Sequence, residues 1–205
     1  MQQTGFGSCQ NPRRHSSSFG ISTAGLKARL PSARVRAEMA SAQAAPQPPT
    51  PLFTNLATDG VGPSGRGSMN LVTYCAPVAI KPERMFAVGL YLGTQSHEHM
   101  RVHRRGVMQV LQNQHVSLFT LLGKTSSRDV DKLVAIREKG FALKERFGIP
   151  TLEDAACVME LQVTSDFMPC GDHDVVLCKV VGYENLVDDP AAVLYTDTLR
   201  KAGLM

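Results

Sequence analysis

The residues best equipped for chemistry fall in three short stretches. In Cys170-Gly171-Asp172-His173-Asp174 an imidazole sits between two carboxylates, and Cys178 follows close behind. Structural zinc sites use thiolates and imidazoles at characteristic short spacings. Cys170, His173 and Cys178 do not have such spacing, and Cys178 lies in an apolar run that should turn it inward. The stretch instead predicts a β-turn at Gly171-Asp172. That turn would place His173 at the rim of a pocket, with an Asp neighbour to orient its ring.

A second stretch, "HEHMRVH", brings His97, His99 and His103 together. His99 and His103 are four apart and share a helix face, the spacing a zinc pair would use. With no thiol near in sequence, a solvated helix of mixed charge is the favoured reading. The third stretch, "LLGKTSSRDVDK", ends a Gly-Lys-Thr triplet at Thr125. A nucleotide-binding P-loop needs a further glycine where Leu118 stands, so the triphosphatase reading fails. Lys124, Thr125, Ser126, Ser127 and Arg128 would surround a helix N-terminus. Free backbone N–H groups and two cations would hold a monophosphate there. The plainer alternative is a capped helix with surface charges.

The elements that must position these groups are mostly strands. "SMNLVTYCAPVAI" (68–80) reads as one strand bent at Pro77, carrying Asn70, Thr73, Tyr74 and Cys75. "MFAVGLYLG" alternates, with Phe86, Val88, Leu90 and Leu92 on one face. Ser96 is placed to cap a short helix that ends at Gly106. "VMQVLQ" is a third strand, and "VSLFTLLG" is ambiguous between strand and helix. "SSRDVDKLVAIREKG" predicts a helix with a capping box of Ser126 and Asp129 and a stripe of Val130, Leu133 and Val134. "VMELQVT" alternates again, and "DVVLCKVV" resembles a strand buried on both faces. Many strands with few short helices favour a closed barrel over a doubly wound sheet.

Composition narrows the class. The chain has 205 residues, 43% of them hydrophobic and 20% charged, as in globular proteins. Its net charge of +4 is unevenly spread. Residues 1–37 hold six basic residues and no acidic one, which leaves sixteen basic against eighteen acidic in the rest. The basicity therefore belongs to the N-terminal segment and does not indicate nucleic-acid binding. That segment is rich in Ser, Ala and Arg, as organellar transit peptides are, and Val35-Arg36-Ala37 resembles a chloroplast processing site. A disordered basic tail is the alternative. Residues 38–67 are Pro- and Gly-rich and predict a flexible linker, with the domain over 68–205. The stretch "GVMQVLQNQHVSLFTLLG" is too polar to span a membrane. The five cysteines form no Cys-x-x-Cys pair, which predicts free thiols.

Taken in order, "MNLVTYCAPVAIKP", "FAVGLYLGT", "GVMQVLQNQH", "LLGKTSSRDVDK" and "GDHDVVLCKVVGYE" resemble the flavin reductase-like, FMN-binding split-barrel family. They are most similar to its short plant, algal and cyanobacterial members. The resemblance covers about residues 68–205. It implies a mainly β fold with short helices, a Greek-key-like split barrel, a homodimer, and an FMN cofactor with NAD(P)H as electron donor. It places Asn70, Leu71, Thr73, Tyr74, Cys75 and Ala76 along the flavin ring and ribityl chain. Lys124, Ser126, Ser127 and Arg128 fall at the phosphate, and His173 lies beside the flavin in a catalytic or orienting role. Where many members carry a Ser/Thr-rich first segment, this chain has Tyr74-Cys75-Ala76. It also lacks part of the N-terminal barrel region of longer members, which a strand from residues 50–60 or pairing across a dimer would replace. The rival reading is a non-catalytic flavin- or tetrapyrrole (haem)-binding module.

Overall fold

Alternation along the strands divides the interior in two. In β1 (Thr54–Thr58) Leu56 enters one core and Ala57 the other, and in β5 (Arg105–Val110) Met108 and Val107 do the same. β2 (Ser68–Val72) splits Val72 from Met69 in the same way, and β8 (Cys157–Val163) splits Leu161 from Val158. The computed structural model describes residues 54–58 and 67–205, all within the compact unit Gln47–Met205.

The remaining strands are β3 (Cys75–Ala79), β4 (Met85–Tyr91), β6 (Leu143–Arg146), β7 (Ile149–Leu152), β9 (Met168–Cys170) and β10 (His173–Asn185). Eight strands form one antiparallel sheet in the order β2-β1-β5-β8-β10-β4-β3, with β9 paired to β10. β6 and β7 form a separate hairpin. β2 and β3 are consecutive in sequence yet lie at opposite ends of the order. The sheet is curled, and the chain crosses from one edge to the other within Thr73-Tyr74. The result is a mainly β half-barrel with a few short helices, in agreement with the expected fold class.

One core fills the concave side, drawing Leu56, Val72, Val88, Leu90, Met108, Leu161, Val176 and Cys178 from six strands. Met100, from helix α1 (Gln95–His103), plugs it. The other core is covered by α2 (Phe119–Gly123), α3 (Lys132–Glu138), α4 (Thr196–Lys201) and the β6–β7 hairpin. β5 is covered on both faces, with Gly106 to Val110 all buried. β10 pairs with β4 through its first half and with β8 through its second, and the register shifts between Val180 and Gly182. That bulge bends the long strand between two neighbours.

Several sequence expectations are corrected. The run 68–80 is two strands rather than one, broken at Thr73-Tyr74. Of the expected linker, Thr54–Thr58 forms β1, inserted between β2 and β5. The domain therefore begins before Ser68, and the 50–60 stretch does supply a strand. The expected leader 1–37 and most of the linker lie outside the described residues. "VSLFTLLG" is helical, a 3₁₀ segment (Asn113–Leu118) running into α2. The first strand half of β10 buries only alternate residues, Asp174, Val176 and Cys178.

Both predicted helix caps move. Thr94 caps α1, accepting from His97 N–H at 3.2 Å, while Ser96 lies inside the helix. Asp131 caps α3, its carboxylate accepting from the Leu133 and Val134 N–H groups, each at 3.1 Å. Ser126 closes a separate turn upstream, accepting from Arg128 N–H at 3.1 Å. Val130 and Val134 are exposed, and α3 buries Lys132 and Ile136 instead.

Candidate functional site

Where the two sheet edges approach, the chain leaves a cleft of about 340 Å³. Its walls come from four places: the β2–β3 crossing (Asn70 to Tyr74), the end of β4 and the start of α1 (Gly89 to Ser96), the end of α2 with the following turn (Leu122 to Ser127), and His173. The size lies in the range of small-molecule sites.

Close backbone approach makes the corner. Gly89 N–H donates to the Tyr74 carbonyl at 2.7 Å. A Cβ on Gly89 would lie 2.9 Å from Tyr74 Cβ, so only glycine fits there. On the other wall, a Cβ on Gly123 would lie 2.8 Å from Leu71 Cδ1. Ser68 Oγ and Ser127 Oγ are 2.6 Å apart and tie the serine turn to β2.

His173 begins β10 after a turn at Gly171, whose φ of +65° suits glycine. This is the β-turn the sequence predicts. His173 Nδ1 lies 2.7 Å from Asp172 Oδ1. A carboxylate only accepts, so Nδ1 carries the hydrogen and Nε2 is the acceptor in the neutral ring. The same bond holds the Asp172 carboxyl below its usual range. The His173 ring meets Tyr74 and Tyr91 edge to face, with centroids at 4.9 and 5.2 Å. Tyr74 and Tyr91 are themselves largely exposed.

Across the cleft stand Thr94, Ser96, Thr125, Ser126, Ser127 and Lys124, of which the Thr94 and Thr125 hydroxyls donate to the Tyr91 and Thr120 carbonyls at 2.9 and 3.2 Å. Ser96 Oγ is fully buried and has no hydrogen-bond partner. A buried hydroxyl without a partner is costly, and Ser96 is one of the residues of the cleft wall. Beneath the floor, Lys132 is 1% exposed. Its Nζ donates to Asn70 Oδ1 and, at 3.0 Å, to the Leu122 carbonyl. Burial brings its pKa down to about 8.

Of the residues singled out in sequence, Asn70, Leu71, Thr73, Tyr74, Lys124, Ser126, Ser127 and His173 line this cleft. Cys75, Ala76 and Arg128 do not. Cys75 Sγ lies 3.3 Å from Thr54 Oγ1, and Ala76 is exposed on β3. Arg128 is bonded to Glu98 of α1 and, at 3.4 Å, to the Gly93 carbonyl. The Lys124–Arg128 segment follows the end of α2 and starts eight residues ahead of α3, so it is not that helix's N-terminus. Sequence reasoning missed Leu92 to Ser96 and Lys132. The hydroxyls of Gly93-Thr94-Gln95-Ser96 ahead of a helix were the available signal, and Ser96 was assigned to capping instead.

The three-histidine helix is solvated on one face only: Glu98, Arg101 and His103 are exposed, but His97 and His99 are buried. His97 Nε2 lies 2.8 Å from Asp174 Oδ2 and His99 Nδ1 lies 2.9 Å from Thr58 Oγ1, all four groups buried. Among the described residues no cluster of three or more metal-ligating side chains occurs. The four cysteines there are free, and burial pushes the Cys178 thiol up to about 12. No described helix is long and apolar enough to cross a membrane.

The flavin reductase like domain profile matches residues 53–203. The chain belongs to the flavin reductase-like family. Solved structures similar to this flavin reductase-like chain include an FMN-binding protein from Thermus thermophilus (22% identity, TM-score 0.55, spanning 66% of this chain and 71% of that one). Another is an FMN-binding domain of a flavin reductase-like enzyme from Shewanella baltica OS155 (16%, 0.55, 64% and 67%). A third is the styrene monooxygenase flavin reductase from Pseudomonas putida S12 (18%, 0.54, 67% and 82%). At these identities the likeness establishes a shared fold. No curated protein sequence matches the chain.

Proposed function

We propose that this protein binds FMN in the cleft and acts as an NAD(P)H-dependent flavin reductase-like oxidoreductase. The observation that carries the reading is Ser96, a residue of the cleft wall whose buried hydroxyl has no protein partner, in a cleft also lined by Ser126, Ser127 and Lys124. The Lys124 ammonium with the serine hydroxyls would suit a phosphate and a ribityl chain. Flavin reductases and FMN-binding proteins share the fold, and the family assignment supports the same chemistry.

Bound FMN would supply the hydride-accepting centre, with a reduced nicotinamide as donor. The chain's own residues bind and orient. Lys124, Thr125, Ser126 and Ser127, with Ser96, would hold the phosphate end. Asn70, Leu71, Thr73 and Tyr74 would line the ring and ribityl chain, with Leu92 closing the opposite wall. His173 would offer Nε2 to the bound ligand while Asp172 fixes the ring through Nδ1. No side chain need act as a nucleophile. Cys75 is unsuited to that role because burial raises its thiol pKa and keeps it protonated.

Two further features complete the reading. Ile80 and Tyr183 are exposed and line one shallow surface with Pro77, Phe86, Met159 and Val180, an apolar surface that pairing of two copies would cover, as expected for a homodimer. The acid-free segment 1–37 supports import into a plastid.

The test is an absorbance spectrum of purified protein (residues 47–205) with added FMN, before and after NAD(P)H. The reading expects a bound flavin spectrum that bleaches on adding nicotinamide. Protein that binds no FMN at saturation overturns it. Stable flavin binding with no NAD(P)H oxidation makes this a binding module instead.

A further inference from the structure

We propose that Lys132 is a positioning residue for the cleft ligand: from inside the core it holds Asn70 Oδ1, so that Asn70 Nδ2 is presented to the cleft as a donor and selects a ring edge that accepts hydrogen bonds. The inference rests on the flavin reading and names the polarity of one contact within it.

Lys132 occupies a position that packing alone would give to an apolar residue. It shares the buried face of α3 with Ile136, four residues on, and the two are 1% and 0% exposed. Burying an ammonium is costly unless it is paired and hydrogen-bonded. Here the amine has two acceptors, Asn70 Oδ1 and the Leu122 carbonyl. At neutral pH the ammonium has donors only. Asn70 must therefore turn its oxygen toward Lys132, which leaves the amide N–H₂ for the cleft that Asn70 lines. A carbonyl or pyridine-type nitrogen, as on the pyrimidine edge of an isoalloxazine, is the complementary group. A ring edge offering only N–H is disfavoured. Leu122 lies on a second cleft wall, so one buried amine also ties two walls together.

The experiment compares Asn70→Asp, Asn70→Ala, Lys132→Met and the Asn70→Ala/Lys132→Met pair, titrated with FMN and with riboflavin. Asn70→Asp keeps the shape and gives Lys132 a carboxylate, so folding is maintained while the donor is lost. It should weaken both ligands alike, by about tenfold for one hydrogen bond to the ring. Lys132→Met frees the amide to rotate and should weaken both by about fivefold, with a shift in the near-UV band of bound FMN. On the Asn70→Ala background the lysine change should cost less than about twofold, because no amide remains to be oriented. Asn70→Asp binding within about twofold of wild type, or single losses that simply multiply in the double variant, overturns the proposal. Wild-type protein that binds neither ligand would overturn the flavin reading itself.

Discussion

His173 and Tyr91 face each other across the β4–β10 ladder, and their rings meet edge to face with centroids 5.2 Å apart. Tyr74 flanks the same imidazole, and Asp172 holds its Nδ1. The ring is fixed, and its partners Tyr74, Tyr91 and Asp172 are themselves exposed. His173→Ala should therefore leave the melting temperature nearly unchanged. It should slow NAD(P)H-driven flavin reduction by about tenfold, the worth of one hydrogen bond near the reacting ring. Stopped-flow absorbance checks this. A variant as fast as wild type would reduce His173 to a wall of the cleft.

Ser96 gives a test that separates binding from folding. Its hydroxyl has no protein partner, so Ser96→Ala removes a buried polar cost and should not destabilise the ligand-free protein. The same change should weaken FMN by about tenfold and riboflavin far less, if the hydroxyl serves the phosphate. Thermal melts and fluorescence titrations measure the two effects. Equal losses for both ligands would move Ser96 away from the phosphate end.

The position of β1 predicts where the domain can be cut. Leu56 and Ala57 are 1% and 0% exposed, one in each core, and β1 bridges β2 and β5. Protein beginning at Ser68 loses a central strand and leaves the β5 edge unpaired. It should fail to fold cooperatively, whereas protein beginning at Gln47 should melt in a single transition. Circular dichroism of the two fragments decides it.

His115 sets an acid limit. Its side chain is buried, Nδ1 accepts from Gln112 N–H at 2.9 Å, and Nε2 lies 2.9 Å from Asp154 Oδ1. Burial lowers its pKa below the usual 6.5, and Asp154 only partly offsets this. A depressed folded pKa means the unfolded chain takes up the proton first. The stability due to neutral His115 is thus complete above pH 6.5 and is lost as pH falls toward the folded value. His115→Gln should flatten the acid side of the melting-temperature profile, as pH falls below the ordinary histidine value of 6.5, relative to wild type. Parallel profiles for the two proteins would refute the assignment.

Some of this molecule is written locally. Alternation in "MFAVGLYLG" sets β4, because a pleated strand turns successive residues to opposite faces whatever surrounds it. Gly171-Asp172 turns the chain and delivers His173, since glycine reaches positive φ without steric cost. The ordered motifs carry the fold family. Other features depended on partners distant in sequence. The run 68–80 looks like one strand, but its halves pair with β1 and β4 on opposite edges of the sheet, and only closure of the curl divides them. Ser96 and Thr94 are both competent caps. The backbone placed Thr94 outside the helix and buried Ser96 against the cleft. Lys132 reads as a surface charge until Asn70, from a strand 62 residues earlier in the chain, and the Leu122 carbonyl meet it in the core. Residue types stated which groups could bond; long-range packing chose the partners, because hydrogen bonds and burial depend on atoms that sequence order does not bring together.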